Sequence, residues 1–357
     1  MRHTARTGSN EPQVSNELAG GNFESGGFKI DAPVAMPGAK KMALVETRDL
    51  VKRFGSLTAV DQISFSVERG EVVGFLGPNG AGKSTAMKII SGFMEPTSGQ
   101  AWIDGHDSHA DPIAARQRLG YLPEGAPAYA EMTVGAFLEF VAGMHGMTKA
   151  KANARLAELV DRVDLAGVWN QRIESLSKGF KRRVCIAQAL VHDPDALILD
   201  EPTDGLDPIQ KYEMRDLIRS IASQKAIIIS THILEEVEAV CTRAIIIAKG
   251  RMLADATPAE LLARAPANGT LALVLATADP QGAIDILSKH PGVGRVDVVQ
   301  RINGVTRIAV RTSKTRPSTD EITSLLGRSN IAVTEFYIER ATLDDVFRQI
   351  TNHGAEN

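Results

Sequence analysis

Gly77-Pro78-Asn79-Gly80-Ala81-Gly82-Lys83-Ser84 fits the pattern G-x-x-x-x-G-K-S, and Thr85 follows it. Glycines in such a loop let backbone N–H groups turn inward around phosphate oxygens, and a helix that starts there points its positive end at them. Lys83 then reaches the β and γ phosphates of a nucleotide, and the Ser84 hydroxyl serves as a Mg²⁺ ligand. The alternative is a glycine turn that binds nothing, and the strand before it and helix after it weigh against that. Downstream, Leu197-Ile198-Leu199 runs into Asp200-Glu201-Pro202, which puts two acids where an α/β sheet presents ligand groups. Asp200 suits Mg²⁺, directly or through water, and Glu201 suits polarisation of an attacking water. After the next apolar run, Ser230-Thr231-His232 sets an imidazole at a strand end, placed to hold a γ-phosphate and that water in register.

These groups need a frame. Alternation from Leu44 through Phe54, and again over 63–67, predicts antiparallel strands. Val72-Val73-Gly74-Phe75-Leu76 reads as a buried strand entering the glycine loop, with helical character from Thr85 to Ile90. Residues 132–165 have helical spacing and predict an all-helical insertion. The continuous apolar runs at 196–199, 226–229 and 244–247 suit a parallel sheet covered on both faces. A linker is expected over 263–269. Beyond it come a strand (270–276), a helix (280–290), a hairpin around Asn303-Gly304, a helix (318–328) and a strand (331–338). That βαββαβ order is the ferredoxin-like split arrangement. A closing helix over 343–350 packs on this small domain or back on the large one.

Composition sets outer limits. The chain has 357 residues, 43% hydrophobic and 23% charged, enough for two folded domains. A formal net charge of -3 gives no reason to expect a nucleic-acid partner. Cys185 and Cys241 have no CxxC spacing and read as buried thiols in a reducing compartment. No apolar run approaches the ~18 residues that span a bilayer, so the chain is not expected to cross a membrane by itself. Residues 1–41 are rich in Gly, Ser, Asn and Pro and read as a disordered tail without a secretory signal. The run from Asp104 to Asp111, with His106 and His109, looks metal-like but reads more simply as a solvated turn. Lys178, Lys181, Arg182 and Arg183 form a basic run that reads as a solvated helix face.

One pentapeptide narrows the class. Leu176-Ser177-Lys178-Gly179-Phe180 lies between the phosphate loop and the acidic strand end, ahead of an apolar helix that starts near Phe180. With it in place, residues 44–262 resemble the ATP-binding cassette (ABC) ATPases throughout, every motif standing in order. The resemblance implies a P-loop NTPase cassette of α/β class with a parallel core sheet, an antiparallel β subdomain and a helical signature subdomain (about 127–180). The cassette then covers 42–265, and the small α+β ferredoxin-like domain covers 266–357.

By the same resemblance Phe54 stacks on adenine and Glu124 contacts Mg²⁺ and a transmembrane partner. Residues 176–180 are the signature, Asp204-Gly205-Leu206-Asp207 the D-loop across a dimer, and His232 the switch. Two cassettes, as a homodimer or a heterodimer with a paralogue, close head to tail so that each ATP lies between one phosphate loop and the other signature. Ser177 offers a hydroxyl and Gly179 an approachable N–H for that contact. Phe54 stands where tyrosine is usual, Lys178 and Phe180 where glycine and glutamine are usual, and Glu124 where glutamine is usual.

Leu122-Pro123-Glu124, residues 177–183, 203–208 and 231–237, and Leu343-Asp344-Asp345-Val346-Phe347 look like the type-two (multidrug, gliding-motility-like) exporter ATPases of bacteria. The expectation is an ATPase at the cytoplasmic face of the cell membrane, held there by an integral-membrane permease on a separate chain. Two other classes stay open. One is a soluble ABC ATPase acting on nucleic acid or ribosomes, which usually carries two cassettes. The other is a regulatory module that holds ATP without hydrolysis, against which Glu201 and His232 stand.

Overall fold

A computed structural model describes residues 43–125, 127–263, 270–302, 304–312, 317–339 and 342–353. The tail expected over 1–41, most of the expected linker and Asn303 of the expected hairpin lie outside those residues.

The chain opens with the antiparallel pair β1 (Ala43–Phe54) and β2 (Leu57–Glu68). β3 (Val72–Leu76), buried at every position, leads through the glycine loop into α1 (Lys83–Ile90). Then come β4 (Ser98–Ile103), β5 (His106–Asp107), α2 (Pro112–Gln117) and β6 (Leu119–Leu122). The helical insertion is α3 (Val134–Met144) and α4 (Lys149–Arg162), and α5 (Lys178–Leu190) leads back to the core. Strand and helix then alternate: β7 (Ala196–Asp200), α6 (Pro208–Ala222), β8 (Ala226–Thr231), α7 (Leu234–Val240), β9 (Arg243–Ala248). β10 (Arg251–Ala256) and α8 (Pro258–Ala263) follow. The last stretch is β11 (Thr270–Leu275), α9 (Gln281–Leu287), β12 (Val293–Ile302), β13 (Val305–Thr312), α10 (Thr319–Gly327), β14 (Val333–Glu339) and α11 (Leu343–His353).

The central sheet has the order β10-β9-β3-β8-β7-β6, parallel except where β10 returns antiparallel along β9. Both faces of it are dry, which is why its strands read as unbroken apolar runs. Leu197, Leu199, Ile227 and Ile229 face the core beneath α3–α6. Ala196, Ile198, Ala226 and Ile228 face the opposite core, shared with α1 and the antiparallel sheet β2-β1-β4-β5. Adjacent strands end in register: Leu76 pairs with Thr231, Asp200 with Ser230, and Leu122 with Leu199. The loops after β3, β8, β7 and β6 therefore leave from one edge of the sheet, the edge where α/β folds gather ligand groups.

The third sheet, β12-β13-β11-β14, is antiparallel throughout, with α9 and α10 on its apolar face around Leu273, Ile308 and Leu326. α10 starts with a capping box, in which Ser318 accepts from the N–H of Glu321 while the Glu321 carboxylate accepts from that of Ser318. α11 leaves this sheet and docks beside the central one. Its Leu343 and Val346 pack with Val237 of α7, Ile246 of β9 and Leu76, the last residue before the phosphate loop.

Candidate functional site

The phosphate loop is shaped by positions at which a side chain does not fit. Gly82 caps α1 at φ 103°, and a Cβ there would stand 2.2 Å from the carbonyl oxygen of Ala59. A Cβ on Gly77 would stand 2.5 Å from that of Ile247. The loop is thus pressed against β2 and β9, and within it the Ala81 N–H donates to the Pro78 carbonyl oxygen at 3.1 Å. The helix opens at Lys83 rather than Thr85, which puts Lys83, Ser84 and Thr85 all in its first turn.

Lys83 is buried, and its Nζ donates to the carbonyl oxygens of Gly77 at 2.7 Å and Pro78 at 3.3 Å. Burial pulls this ammonium below the usual lysine range, opposed by the carboxylates of Glu201, Asp200 and Glu124. A cleft of about 510 Å³ lies over the loop, lined by Phe54, Leu57, Ala59, residues 79–85, Glu124 and Glu201. Phe54 is 47% exposed at its rim, with the Lys52 ammonium 5.3 Å from the ring centre, so one aromatic face is available for stacking.

Asp200 is 1% exposed at the end of β7. Its Oδ1 accepts from the Ser230 hydroxyl, and its Oδ2 is buried with no hydrogen-bond partner in the structure. A buried carboxylate oxygen without a donor calls for a cation or a water, so the donor set of Asp200, Ser84 and Glu124 fits Mg²⁺. Glu201 follows in the left-handed region at φ 49°. Its N–H is anchored to the Ser230 carbonyl oxygen at 3.0 Å, which turns the side chain off the strand and into the cleft. Burial raises the pKa of Glu201, and the hydrogen bond from His232 works against that shift. His232 Nδ1 lies 2.9 Å from Glu201 Oε1, joining two of the residues read as chemically active.

The pentapeptide stands apart from this cleft. α5 starts at Lys178, ahead of Phe180, because Ser177 is its N-cap, with Oγ accepting from the Phe180 N–H at 3.3 Å. Asp207 caps α6 in the same way, accepting from Gln210 N–H at 2.9 Å. A Cβ on Gly179 would stand 2.8 Å from the Gln210 side chain, so the two helix starts are in close contact. A second cleft of about 560 Å³ is lined by Ser177, Gly179, Phe180, Asp207 and Gln210. It shares no residue with the phosphate-loop cleft. Leu176 and Leu206 are core residues beneath it, while Asp204, Gly205 and Lys178 are exposed.

The basic run departs from the solvated face expected of it. Arg182 is 6% exposed and donates to the Asp204 carbonyl oxygen, and Arg183 donates to Val163 O, Asp164 and Glu213. These two cations fasten the start of α5 to its neighbours. In the metal-like run, Asp107 accepts from the backbone N–H groups of His109 and Ala110 and staples the turn. Sequence reasoning passed over Ser230, Thr203 and Glu236, whose hydrogen bonds hold the strand ends. Only Ser230 gave a signal, as a polar residue near the end of the apolar strand β8; Thr203 lies in a turn and Glu236 in a helix that carries two other glutamates.

Comparison with known proteins follows the same lines. A family model described as ABC transporter matches residues 60–204. The probable multidrug ABC transporter ATP-binding protein YbhF of Escherichia coli (strain K12) is 37% identical over 222 residues, covering 62% of this chain but only 38% of that protein. The chain thus spans well under half of that relative's length. The daunorubicin resistance ATP-binding protein DrrA3 of Streptomyces coeruleorubidus is 32% identical over 308 residues, which is 84% of this chain and 93% of that one. A solved ATP binding subunit of an ABC transporter superposes with TM-score 0.58 at 32% identity, covering 62% of this chain and 92% of that one. Because the match to DrrA3 runs through nearly all of that protein, the kinship extends far beyond a phosphate loop that unrelated enzymes share: the chain belongs to the ATP-binding proteins of ABC transporters.

Proposed function

We propose that this chain is the ATP-hydrolysing subunit of a bacterial ABC exporter and that it energises an integral-membrane permease on a separate chain. The observation that carries the reading is the division of the site within one chain. Ser177 and Gly179 line a cleft that has no residue in common with the phosphate-loop cleft, so a second cassette is needed to complete the phosphate contacts. The Ser177 hydroxyl oxygen accepts from its own helix, which leaves its hydrogen to donate outward to a partner's nucleotide. The D-loop residues 204–207, packed beside it, reach the partner at the same time.

Phe54 stacks on adenine, and the N–H groups of 77–85 take the phosphates. Lys83 leaves the carbonyl oxygens of Gly77 and Pro78 for the β and γ phosphates. Ser84, Asp200 and Glu124 would hold a Mg²⁺ ion, which would supply charge neutralisation to the triphosphate. Glu201 accepts a proton from the attacking water, while His232 keeps its carboxylate in one orientation. ATP draws two cassettes together because it binds the closed pair more tightly than the open one, and hydrolysis removes that preference. The exposed Tyr129, Phe140 and Met144 of the helical insertion offer an apolar face to the permease. No described helix is long and apolar enough to cross a membrane. In this reading the permease holds the chain at the cytoplasmic face. The multidrug and daunorubicin-resistance names of the relatives support export.

Phosphate release by the purified full chain with Mg-ATP, compared with Glu201→Gln, tests the enzyme, and detergent extraction of membranes with identification of the co-purifying integral protein tests the partner. We expect turnover that Glu201→Gln abolishes and one membrane protein held in stoichiometric amount. Absence of turnover, or a chain that leaves the membrane alone, overturns the corresponding half of the reading.

A further inference from the structure

The polar residues that the mechanism leaves unused converge on Glu236. This carboxylate is 4% exposed on α7, and both of its oxygens are engaged. Oε1 accepts from the hydroxyl of Thr203, and Oε2 accepts from that of Thr231 at 3.0 Å. The two threonines are 2% and 0% exposed, so neither hydroxyl has water as an alternative. Thr231 Oγ1 also accepts the Ile233 N–H at 3.0 Å. The backbone is therefore pinned on either side of His232. Thr203 stands in the turn between Glu201 and the D-loop, where the Asp204 N–H donates to Glu201 O at 3.2 Å and the Leu206 N–H to Thr203 O at 3.2 Å.

We propose that Glu236 is a positioning residue for hydrolysis: a buried brace that joins the turn carrying Glu201 and the D-loop to the strand end carrying His232. It lines neither the phosphate-loop cleft nor the second cleft and acts by fixing where His232 meets Glu201. Beyond the last ladder pair, Asp200 with Ser230, the two loops meet through the Glu201 N–H on Ser230 O and through the His232–Glu201 contact that hydrolysis depends on. Glu236 adds a second link from below, through side chains that leave the reacting groups free. A D-loop moved by a partner cassette pulls on Thr203, and the pull reaches His232 through one carboxylate.

This inference rests on the hydrolysis reading above. The test measures steady-state phosphate release and binding of a fluorescent ATP analogue by the full chain, for wild type, Glu236→Gln, Thr203→Val, Thr203→Ser and the Glu236→Gln/Thr203→Val pair. We expect Glu236→Gln and Thr203→Val each to lower kcat about tenfold to hundredfold, since a small misplacement of a catalytic group costs that much. KM and the analogue's Kd should stay within about twofold of wild type, because the phosphate loop is untouched. Thr203→Ser keeps the hydroxyl and should restore turnover. The double variant should be no worse than the poorer single, because both break one bond. Cooperative melting of each variant shows that it is folded, and if Glu236→Gln fails to fold, the Val and Ser pair at 203 carries the test. Unchanged kcat in folded Glu236→Gln and Thr203→Val, or losses in which KM and Kd rise in proportion, overturns the brace alone. A wild-type chain with no turnover overturns the hydrolysis reading, and the brace with it.

Discussion

Nδ1 of His232 lies 2.9 Å and 3.0 Å from the two carboxylate oxygens of Glu201, each residue standing just beyond the end of a different strand, β8 and β7. A bond shared between both oxygens holds the carboxylate plane as well as its position. Without it Glu201 is free to rotate in a cleft that its burial makes unfavourable for charge. We expect His232→Ala to lower kcat by about 10²-fold or more while nucleotide affinity changes little. Single-turnover phosphate release checks this, and a variant turning over near the wild-type rate would mean the contact is idle.

The separation of the two clefts leads to a second expectation. Ser177→Arg fills the cleft that we propose takes a partner's phosphates and also removes an N-cap worth about 1 kcal/mol. The monomer should still bind ATP, because no phosphate-loop residue is altered. Light scattering with ATP and Glu201→Gln as background should show dimers, and the same background with Ser177→Arg only monomers. ATP-driven dimers in both would refute the composite site.

Glu124 lines the phosphate-loop cleft together with Glu201. A carboxylate there adds attraction for Mg²⁺ and repulsion for the triphosphate, whereas glutamine gives neither. Glu124→Gln should therefore need more Mg²⁺ for half-maximal turnover and bind metal-free ATP more tightly. Titrating ATPase activity with Mg²⁺ at fixed ATP decides the matter, and superimposable curves would remove the idea.

Acid should weaken the fold through His192. Its ring stacks on His145 with centroids 3.8 Å apart, its Nε2 meets the Leu119 carbonyl oxygen at 3.1 Å, and its Nδ1 is buried without a partner. Burial first, and His145 next, push its pKa down to about 4 from the ordinary 6.5. The unfolded chain takes up a proton near the ordinary value and the folded chain resists it. Stability is thus whole above about pH 6.5 and drains away as pH falls toward 4, by roughly 1–3 kcal/mol from this one group. Urea midpoints at pH 7 and pH 5 should differ more for wild type than for His192→Asn, and equal differences would exclude His192 as the cause.

Much of the site was legible before any fold was known. Gly77–Ser84 and Asp200–Glu201 are each contiguous, so residue type and local periodicity suffice to place a turn, a strand end and a helix start. The order of the closing elements was legible for the same reason, βαββαβ following from alternation and turn residues. Arg182 and Arg183 were misread because a run of cations looks solvated until its acceptors, Asp204 O and Glu213 on other elements, are brought up to it. Glu236 escaped notice because its partners lie 33 and 5 residues away in sequence.

By itself the sequence determined which groups can do chemistry, since a hydroxyl, an ammonium or a carboxylate keeps its character wherever it lies. Tertiary structure alone decided their company. The strand order places the loops after β3, β8, β7 and β6 on one edge, and that order is set by ladder pairing between segments distant in the chain. It also settled that Ser177 and Gly179 line a cleft with no residue in common with the phosphate-loop cleft, and that α11 packs with β9 and α7. Local pattern reports which face of an element is apolar; only packing chooses the surface that covers it.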